Sequence, residues 1–151
     1  MYTEIDQETL DIDWFFTDGE NIGFVTSGGG ELPKSIAEKN KKLVSYFRNL
    51  PDMSDTVINP NLDSLLNEIF GNGVDERYLE DYLVMTRKGL YSFDKTYLNN
   101  FRDSNYHLVA ASSTPLILED LPQDIFEILI ETKYSEGYLN NISVIDVGKI
   151  L

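Results

Sequence analysis

One stretch near the N-terminus, DIDWFFTDGENIGFVTSGGG (residues 11–30), constrains the fold of this chain more than any other. Its first half alternates with a period of two, which is typical of a half-buried strand because successive side chains point to opposite faces. Asp18-Gly19 separates this run from a second one at residues 22–26, and Asp-Gly favours a hairpin turn because glycine reaches positive φ without steric cost. The sequence therefore predicts a β-hairpin with a loop over residues 17–21. We expect its aromatic residues in the core rather than in an exposed patch: Trp14, Phe15, Phe16 and Phe24.

The rest of the chain contains runs of helical pattern and runs of strand pattern without strict alternation between them. Apolar residues recur at helical spacing, with matching cap and stop residues, in four segments: residues 34–49, 60–70, 75–89 and 122–130. Short strand patterns lie at residues 90–93, 106–111, 116–118 and 142–147, and residues 1–10 are predicted as a loosely held lead-in. The order predicts an α+β fold in a single domain, residues 1–151. We expect a mainly antiparallel sheet, built from the N-terminal hairpin and the C-terminal strands, with about four helices packed on it.

The composition is strongly acidic, with 26 acidic and 12 basic residues, a net charge of −14 and a pI of about 4.2. Direct nucleic-acid binding through the phosphate backbone is disfavoured because it needs a basic surface, and so is an anionic membrane. No apolar run approaches the roughly 18 residues of a membrane span, and the start of the chain lacks a signal-peptide pattern, which together predict a cytoplasmic location. A basic protein partner is favoured. The alternative is that the acidity serves solubility alone.

The acidic residues are unevenly distributed along the chain. Residues 1–33 contain eight acids and no Lys or Arg, whereas residues 34–49 contain five basic residues against Glu38. Residues 50–85 contain eight acids against Arg77. The hairpin and the middle helices therefore carry most of the negative charge.

Patterns that would indicate phosphate or calcium binding fail on their spacing. Glycines 28–30 precede a predicted helix, but neither GxGxxG nor GxxxxGK[ST] is present and Glu31 would repel a phosphate, so we interpret them as a turn. The acids at residues 11, 13, 18 and 20 resemble a calcium loop only superficially, because Phe15 occupies the position of a third ligand. A solvated acidic edge is the favoured interpretation.

No motif indicates catalysis or a bound cofactor. The chain has no cysteine, so thiolate chemistry is excluded, and we predict no metal and no cofactor. His107, the single histidine, lies in an apolar strand and is predicted to be structural. A two-carboxylate enzyme stays open, because this many acids always supply candidate pairs.

Several motifs together resemble small acidic bacterial proteins, the immunity proteins of polymorphic and contact-dependent toxin systems. They are the D-W-F hairpin, S-G-G before a Leu-Pro helix start, the strand G-L-Y-S-F-D and the close Y-x-L-V-A…P-L…L-P-x-x-I. The resemblance covers most of the chain and implies a non-enzymatic protein that neutralises a cognate toxin. It carries over no catalytic residues.

A toxin of basic surface is the partner that this hypothesis implies, since complementary charge speeds association. The candidate contacts are the acids of the hairpin and the start of the third predicted helix, with two tyrosines as possible aromatic anchors: Asp11, Asp13, Asp18, Glu20, Asp75, Glu76, Tyr78, Glu80, Asp81 and Tyr82. Two alternatives remain, a general interaction domain of the SMI1/KNR4-like kind and a small carboxylate-dependent enzyme. The sequence predicts no oligomeric state.

Overall fold

The computed structural model describes residues 2–36, 39–71 and 75–150. Its helices and strands in chain order are α1 (Glu4–Thr9), β1 (Asp13–Thr17), β2 (Ile22–Thr26), α2 (Asn40–Arg48), β3 (Thr56–Ile58), α3 (Leu62–Phe70), α4 (Glu76–Thr86), β4 (Tyr91–Lys95), β5 (Asn105–Ser112), α5 (Gln123–Leu129) and β6 (Val144–Asp146). Short 3-10 helices lie at Leu118–Asp120, Leu139–Asn141 and Val147–Lys149.

The strands form one sheet in the order β1-β2-β4-β5-β3, and β6 also pairs with β5. The α+β class is confirmed, but the expectation of a mainly antiparallel sheet is wrong, because the sheet is mixed. Its central pair, β2 and β4, is parallel. The cause lies between these two strands, where three helices and β3 carry the chain back to the end of the sheet at which it started. Parallel neighbours require a long crossover of this kind, whereas a tight turn gives antiparallel neighbours.

The hairpin is confirmed, and it is more deeply buried than a half-buried strand pattern predicts. Phe15 and Phe24 lie in a core between the sheet and the helices, which also contains Phe47 of α2, Leu66 of α3 and Met85 of α4. Side chains of the opposite strand face lie in a second core, formed with the loop after β2 and the C-terminal segment: Trp14, Phe16, Val25, Phe93, Tyr106, Leu139 and Ile145. The sheet is therefore covered on both faces, and the aromatic residues of the hairpin belong to the cores.

The hairpin register places Phe16 directly opposite Gly23. The phenyl ring covers this glycine so closely that a Cβ added there would lie 2.2 Å from Cε1 of Phe16. Thr17 pairs with Ile22, so the loop is one residue shorter at its start than predicted.

Five α-helices lie in the described residues rather than about four, and the additional one is α1. Residues 1–10 are thus not a loosely held lead-in. Thr3 Oγ1 accepts from the backbone N–H of Asp6 at 3.1 Å, and Asp6 Oδ2 accepts from the N–H of Thr3 at 3.1 Å. This reciprocal pair is a capping box, which satisfies N–H groups that a helix start leaves unpaired.

Two further predictions needed correction, and one strand was missed. The helix predicted over residues 34–49 begins at Asn40 in the structure, and residues 37 and 38 of that range lie outside the described part. The strand predicted at residues 116–118 is absent there, because the N–H groups of Leu116 and Leu118 donate to Gly89 and Glu20 and not to a strand ladder. The strand β3 was not predicted from the sequence at all.

Candidate functional site

Acidic residues from the hairpin and from α4 meet where the hairpin begins. Asp11 and Asp13 point to the same side of the sheet as Phe15, because they lie two residues apart along an extended chain. Asp13 is partly buried and its carboxylate accepts a hydrogen bond from Arg48 of α2. Burial raises the pKa of Asp13, and the carboxylates of Asp11 and Asp81 add to the increase, whereas Arg48 opposes it. We call Asp11, Asp13 and Asp81 the hairpin–α4 acidic cluster.

The two predicted contacts in the hairpin loop lie apart from this cluster, at the other end of β1. Asp18 is buried, and both of its carboxylate oxygens accept backbone hydrogen bonds. Oδ1 accepts from Glu20 at 2.8 Å and from Asn21 at 2.7 Å, and Oδ2 accepts from Leu139 at 2.8 Å. Asp18 therefore joins the loop to the C-terminal segment, while the side chain of Glu20 is exposed beside it.

The start of α4 presents the other predicted acids to solvent. Asp75 caps the helix, because its Oδ1 accepts from the N–H of Tyr78 at 2.8 Å. Glu76, Glu80 and Asp81 are exposed along the following two turns. Acidic residues in the first turn of a helix are stabilised by the helix dipole, which applies here to Asp75 and Glu76.

The two tyrosines of α4 point inward, beneath the acidic face. Tyr82 is buried and its hydroxyl lies 2.8 Å from Thr26 Oγ1. Tyr78 is partly buried, and its hydroxyl lies 2.8 Å from Asp94 Oδ2 and 3.0 Å from His107 Nε2. The two tyrosine rings pack together with centroids 5.4 Å apart. The hydroxyl groups of both tyrosines thus fasten α4 to the sheet.

The polar groups under α4 form a chain whose proton positions follow from hydrogen-bonding logic. A carboxylate can only accept, so the Tyr78 hydroxyl donates to Asp94. The Tyr78 oxygen then accepts from Nε2–H of His107, and Nδ1 of His107 accepts from the hydroxyl of Thr96, 3.0 Å away. The inferred state is a neutral histidine in which each donor meets one acceptor.

Burial under α4 shifts the pKa values of His107, Tyr78 and Tyr82 in the direction that favours the neutral form of each ring. Burial lowers the pKa of His107 below its ordinary value of 6.5, although Asp94 opposes the shift. Burial, followed by the charge of Asp94, raises the pKa of Tyr78 and of Tyr82 above the ordinary 10.0. The tyrosines therefore keep their protons at neutral pH, and His107 is buried with both ring nitrogens hydrogen-bonded inside the fold.

Sequence reasoning missed the polar partners of Tyr78 and His107. Asp94 lies on β4 and Thr96 directly follows the strand, and Asp94 pairs with His107 across the ladder to β5. The two polar residues Asp94 and Thr96, two positions apart, were the signal in the sequence that could have indicated these partners. It identifies partners of His107 only once the pairing of β4 with β5 is known, and that pairing is not a local property of either segment.

The described surface also contains concave regions away from the predicted contacts. One groove of about 420 Å³ has an apolar floor of Leu32, Val147 and Ile150, with Glu31 and Arg102 on its rim. The guanidinium of Arg102 bonds both Glu31 and Glu4, so its charge is matched within the chain. A smaller hollow of about 180 Å³ contains Asp18, but none of the other nine predicted contacts lines either concavity.

Within residues 2–36, 39–71 and 75–150, no group of three or more metal-ligating side chains lies close enough together to hold a metal ion. None of the described helices is long and apolar enough to cross a membrane. Comparisons of the chain with models of known protein families, with curated proteins and with solved structures found no match. The resemblance to immunity proteins therefore stays a prediction.

Proposed function

We propose that this chain is a non-enzymatic binding protein that neutralises a cognate bacterial toxin through an acidic surface. The observation that supports the proposal best is the hairpin–α4 acidic cluster. Asp11 and Asp81 lie close enough to Asp13 to add to the rise of its pKa, which is caused mainly by burial and is opposed by the ion pair with Arg48. A basic group from a partner would relieve the repulsion among these carboxylates on binding.

The contacts of the partner-binding surface fall into two groups under this proposal. Charged contacts come from the cluster and from the exposed acids of α4: Asp11, Asp13, Asp75, Glu76, Glu80 and Asp81. Tyr78 and Tyr82 act by holding α4 against the sheet, since their hydroxyls are bonded inside the fold. Asp18 acts by holding the hairpin loop, and Glu20 is a separate contact at the loop tip.

The chemistry of this surface favours a toxin with a basic active-site region, as in enzymes that bind nucleic acid. The net charge of −14 steers such a partner over long range, and the local acids set the final orientation. The affinity of the complex should therefore fall steeply as salt concentration rises, because screening at high salt shortens the range of these fields.

The test begins with affinity capture of the partner from the source organism, followed by association kinetics on the purified pair. A variant with Glu80→Lys and Asp81→Lys changes the charge of the proposed surface. Its matched control, Glu119→Lys with Glu136→Lys, makes the same change of net charge at exposed acids elsewhere. We expect the first variant to associate about tenfold more slowly at low salt, and the control to differ much less.

Equal slowing by both double variants would show that net charge alone matters, and would remove the site assignment. The toxin-neutralising role is tested separately by co-expression with the captured partner. A growth defect caused by the partner and relieved by this chain supports neutralisation. A partner that binds tightly but causes no growth defect would indicate a general interaction domain.

A further inference from the structure

The two edges of the sheet differ in how many of their outward backbone groups are hydrogen-bonded to the rest of the chain. The free side of β1 contacts other parts of the chain. At the start of the strand, Asn40 Nδ2 donates to the carbonyl of Asp13 at 2.8 Å. At the other end of β1, the N–H of Thr17 donates to Thr132 at 3.0 Å, and the carbonyl of Thr17 accepts from Tyr134 at 2.9 Å. These contacts occupy outward backbone groups at both ends of β1, the carbonyl of Asp13 and the N–H and carbonyl of Thr17.

The opposite edge is formed by two short strands that follow one another along β5. Thr56–Ile58 pairs with residues 112 to 110 of β5, and Val144–Asp146 pairs with residues 107 to 105. Both run antiparallel to β5, so β3 and β6 point in the same direction, end to end. Asn59 lies at their junction, with its N–H bonded to Val109 and its side-chain amide bonded to Leu108. We call Thr56–Ile58 and Val144–Asp146 the outer edge.

Hydrogen bonds to β5 determine which backbone groups of the outer edge face away from the sheet. The carbonyl of Asp55 accepts from Ser113, and the N–H of Asn59 donates to Val109, so odd-numbered residues of β3 face inward. In an antiparallel ladder the residues between them face outward, which are Thr56 and Ile58. In the described part of the chain, neither residue has an outward hydrogen-bond partner on its backbone.

The same reasoning applies to β6. The carbonyl of Ser143 accepts from Leu108, and the N–H of Val147 donates to Ser104. The backbone groups of Val144 and Asp146 therefore face outward, in line with those of β3. Outward N–H and C=O groups on an edge strand are a template for pairing with another extended segment.

Apolar side chains accompany these free backbone groups. Val57 is 55% exposed, Ile58 is 41% exposed and Val144 is 53% exposed, and Met53 lies just before β3 with 49% of its surface exposed. Val57 and Ile58 are consecutive residues of an extended strand, so they put apolar surface on both faces of the outer edge. An added strand would cover side chains on both faces while it satisfies the backbone groups between them.

The charges near the outer edge indicate what such a segment carries. Asp52 and Asp55 precede β3 and Asp63 follows it, while Asp146 belongs to β6 itself. Basic residues also lie near the outer edge: Arg87 contacts the segment before β3 and Lys149 follows β6, while Lys88 is buried and already bonds the carbonyl of Leu50 and the carboxylate of Asp52. A second copy of this chain would bring another net charge of −14 to the same place, which disfavours edge-to-edge dimers.

We propose that the outer edge binds an extended, basic polypeptide segment, which adds to β3 and β6 as a further strand. The segment alternates lysine or arginine with apolar residues, so that its backbone pairs with Thr56 and Ile58 and its basic groups reach the flanking aspartates. This site is distinct from the hairpin–α4 acidic cluster, and it does not require that the partner be a toxin.

The test uses the full chain and a defined probe, a short synthetic peptide of alternating valine and lysine with both ends blocked. The peptide is added at a concentration at which about nine-tenths of the protein molecules are bound. Amide hydrogen exchange at Thr56 and Ile58 should then slow about tenfold, because only the roughly one-tenth of molecules without peptide can exchange. The corresponding valine–glutamate peptide should give no protection. Protection of amides elsewhere instead, or equal protection by the acidic peptide, would overturn the proposal.

Two variants test the backbone pairing directly. Ile58→Pro removes one outward N–H and leaves the inward bonds to β5 in place, as proline is tolerated on the solvent side of an edge strand. Ile58→Ala is the matched control, since it shortens the same side chain but keeps the N–H. We expect the peptide to bind the proline variant at least fivefold more weakly than the alanine variant. Equal affinity for the two would contradict strand addition.

A third experiment changes the peptide and not the protein, so it does not depend on the folding of any variant. Methylation of the peptide's own backbone nitrogens on the side that pairs with β3 should abolish protection of Thr56 and Ile58, while methylation on the other side should preserve it. Full protection by both methylated peptides would refute backbone pairing. Protection of the same amides by raised protein concentration without peptide would show that a second copy is the occupant instead.

Discussion

The side chain of Asp18 supports a prediction that separates stability from partner binding. Replacing Asp18 with alanine removes the side-chain acceptor that joins the hairpin loop to the N–H of Leu139 in the C-terminal segment. It also removes the acceptor for the N–H groups of Glu20 and Asn21, within the loop. We expect the variant to fold less stably, whatever the role of this loop in binding.

The magnitude follows from the burial of the three bonds. Those to Asn21 and Leu139 are buried, and a hydrogen bond to a charged group contributes about 1.5 kcal/mol at the lower end of its range. The bond to Glu20 is only part-buried, so water replaces it at little cost. Asp18→Ala should therefore lower the free energy of unfolding by about 3 kcal/mol, and Asp18→Asn by at least about half of that, because one acceptor oxygen remains but an NH2 donor then faces a backbone N–H.

Urea unfolding, followed by circular dichroism, measures this difference. With a slope near 2 kcal/mol per M, the midpoint of Asp18→Ala should fall by about 1.5 M. The exposed neighbour Glu20 supplies the control, since Glu20→Ala should change the free energy of unfolding by less than about 0.5 kcal/mol. If Asp18→Ala unfolds at the same urea concentration as Glu20→Ala, the carboxylate does not hold the loop as described.

Three further predictions concern the interior of the sheet. Tyr78→Phe leaves the Oδ2 of Asp94 without its donor and should lower the free energy of unfolding by about 1–3 kcal/mol in urea titrations; a neutral effect would contradict the hydrogen-bond chain. Because the pKa of His107 is lowered in the folded state, the unfolded chain binds more protons below pH 6.5, so stability should fall as pH decreases through that region. His107→Gln should lose this part of the pH dependence, and an unchanged slope would disprove the assignment. Gly23→Ala places a Cβ against the ring of Phe16 and should lower the free energy of unfolding, measured by thermal denaturation, by about 1–3 kcal/mol. A variant as stable as the parent would refute that packing.

Local signals in the sequence predicted the elements that local physics determines. The Asp-Gly turn, the alternating run around Trp14 and the helix cap at Asp75 each depend on neighbours within a few residues, and all are present in the structure. The helix stop at Gly71 is another, since that residue adopts φ of +74°. The capping box at Thr3 was equally local, and it was missed because no apolar periodicity accompanies it.

Pairing between distant strands was not predictable in the same way. Nothing in the residues of β2 or β4 distinguishes a parallel neighbour from an antiparallel one, because both strands are buried on both faces. The three residues of β3 carry too little pattern to be recognised without β5 beside them. Helical spacing predicts that Tyr78 faces inward, but the acceptor of its hydroxyl was not predictable from α4, because the sheet positions Asp94.

Burial of the hairpin on both faces has a consequence for how β1 finds its alignment with β2. A slip of one residue would exchange the aromatic side chains between two apolar cores, so contact with water would not penalise the error. Shape discriminates instead. In the native alignment Phe16 lies over Gly23, whereas a slip would place Ile22 or Phe24 beneath the ring and leave no room for it. The correct alignment of the two strands is thus favoured because Gly23 has no side chain and leaves room for the ring of Phe16. Misaligned pairing is disfavoured by steric overlap alone.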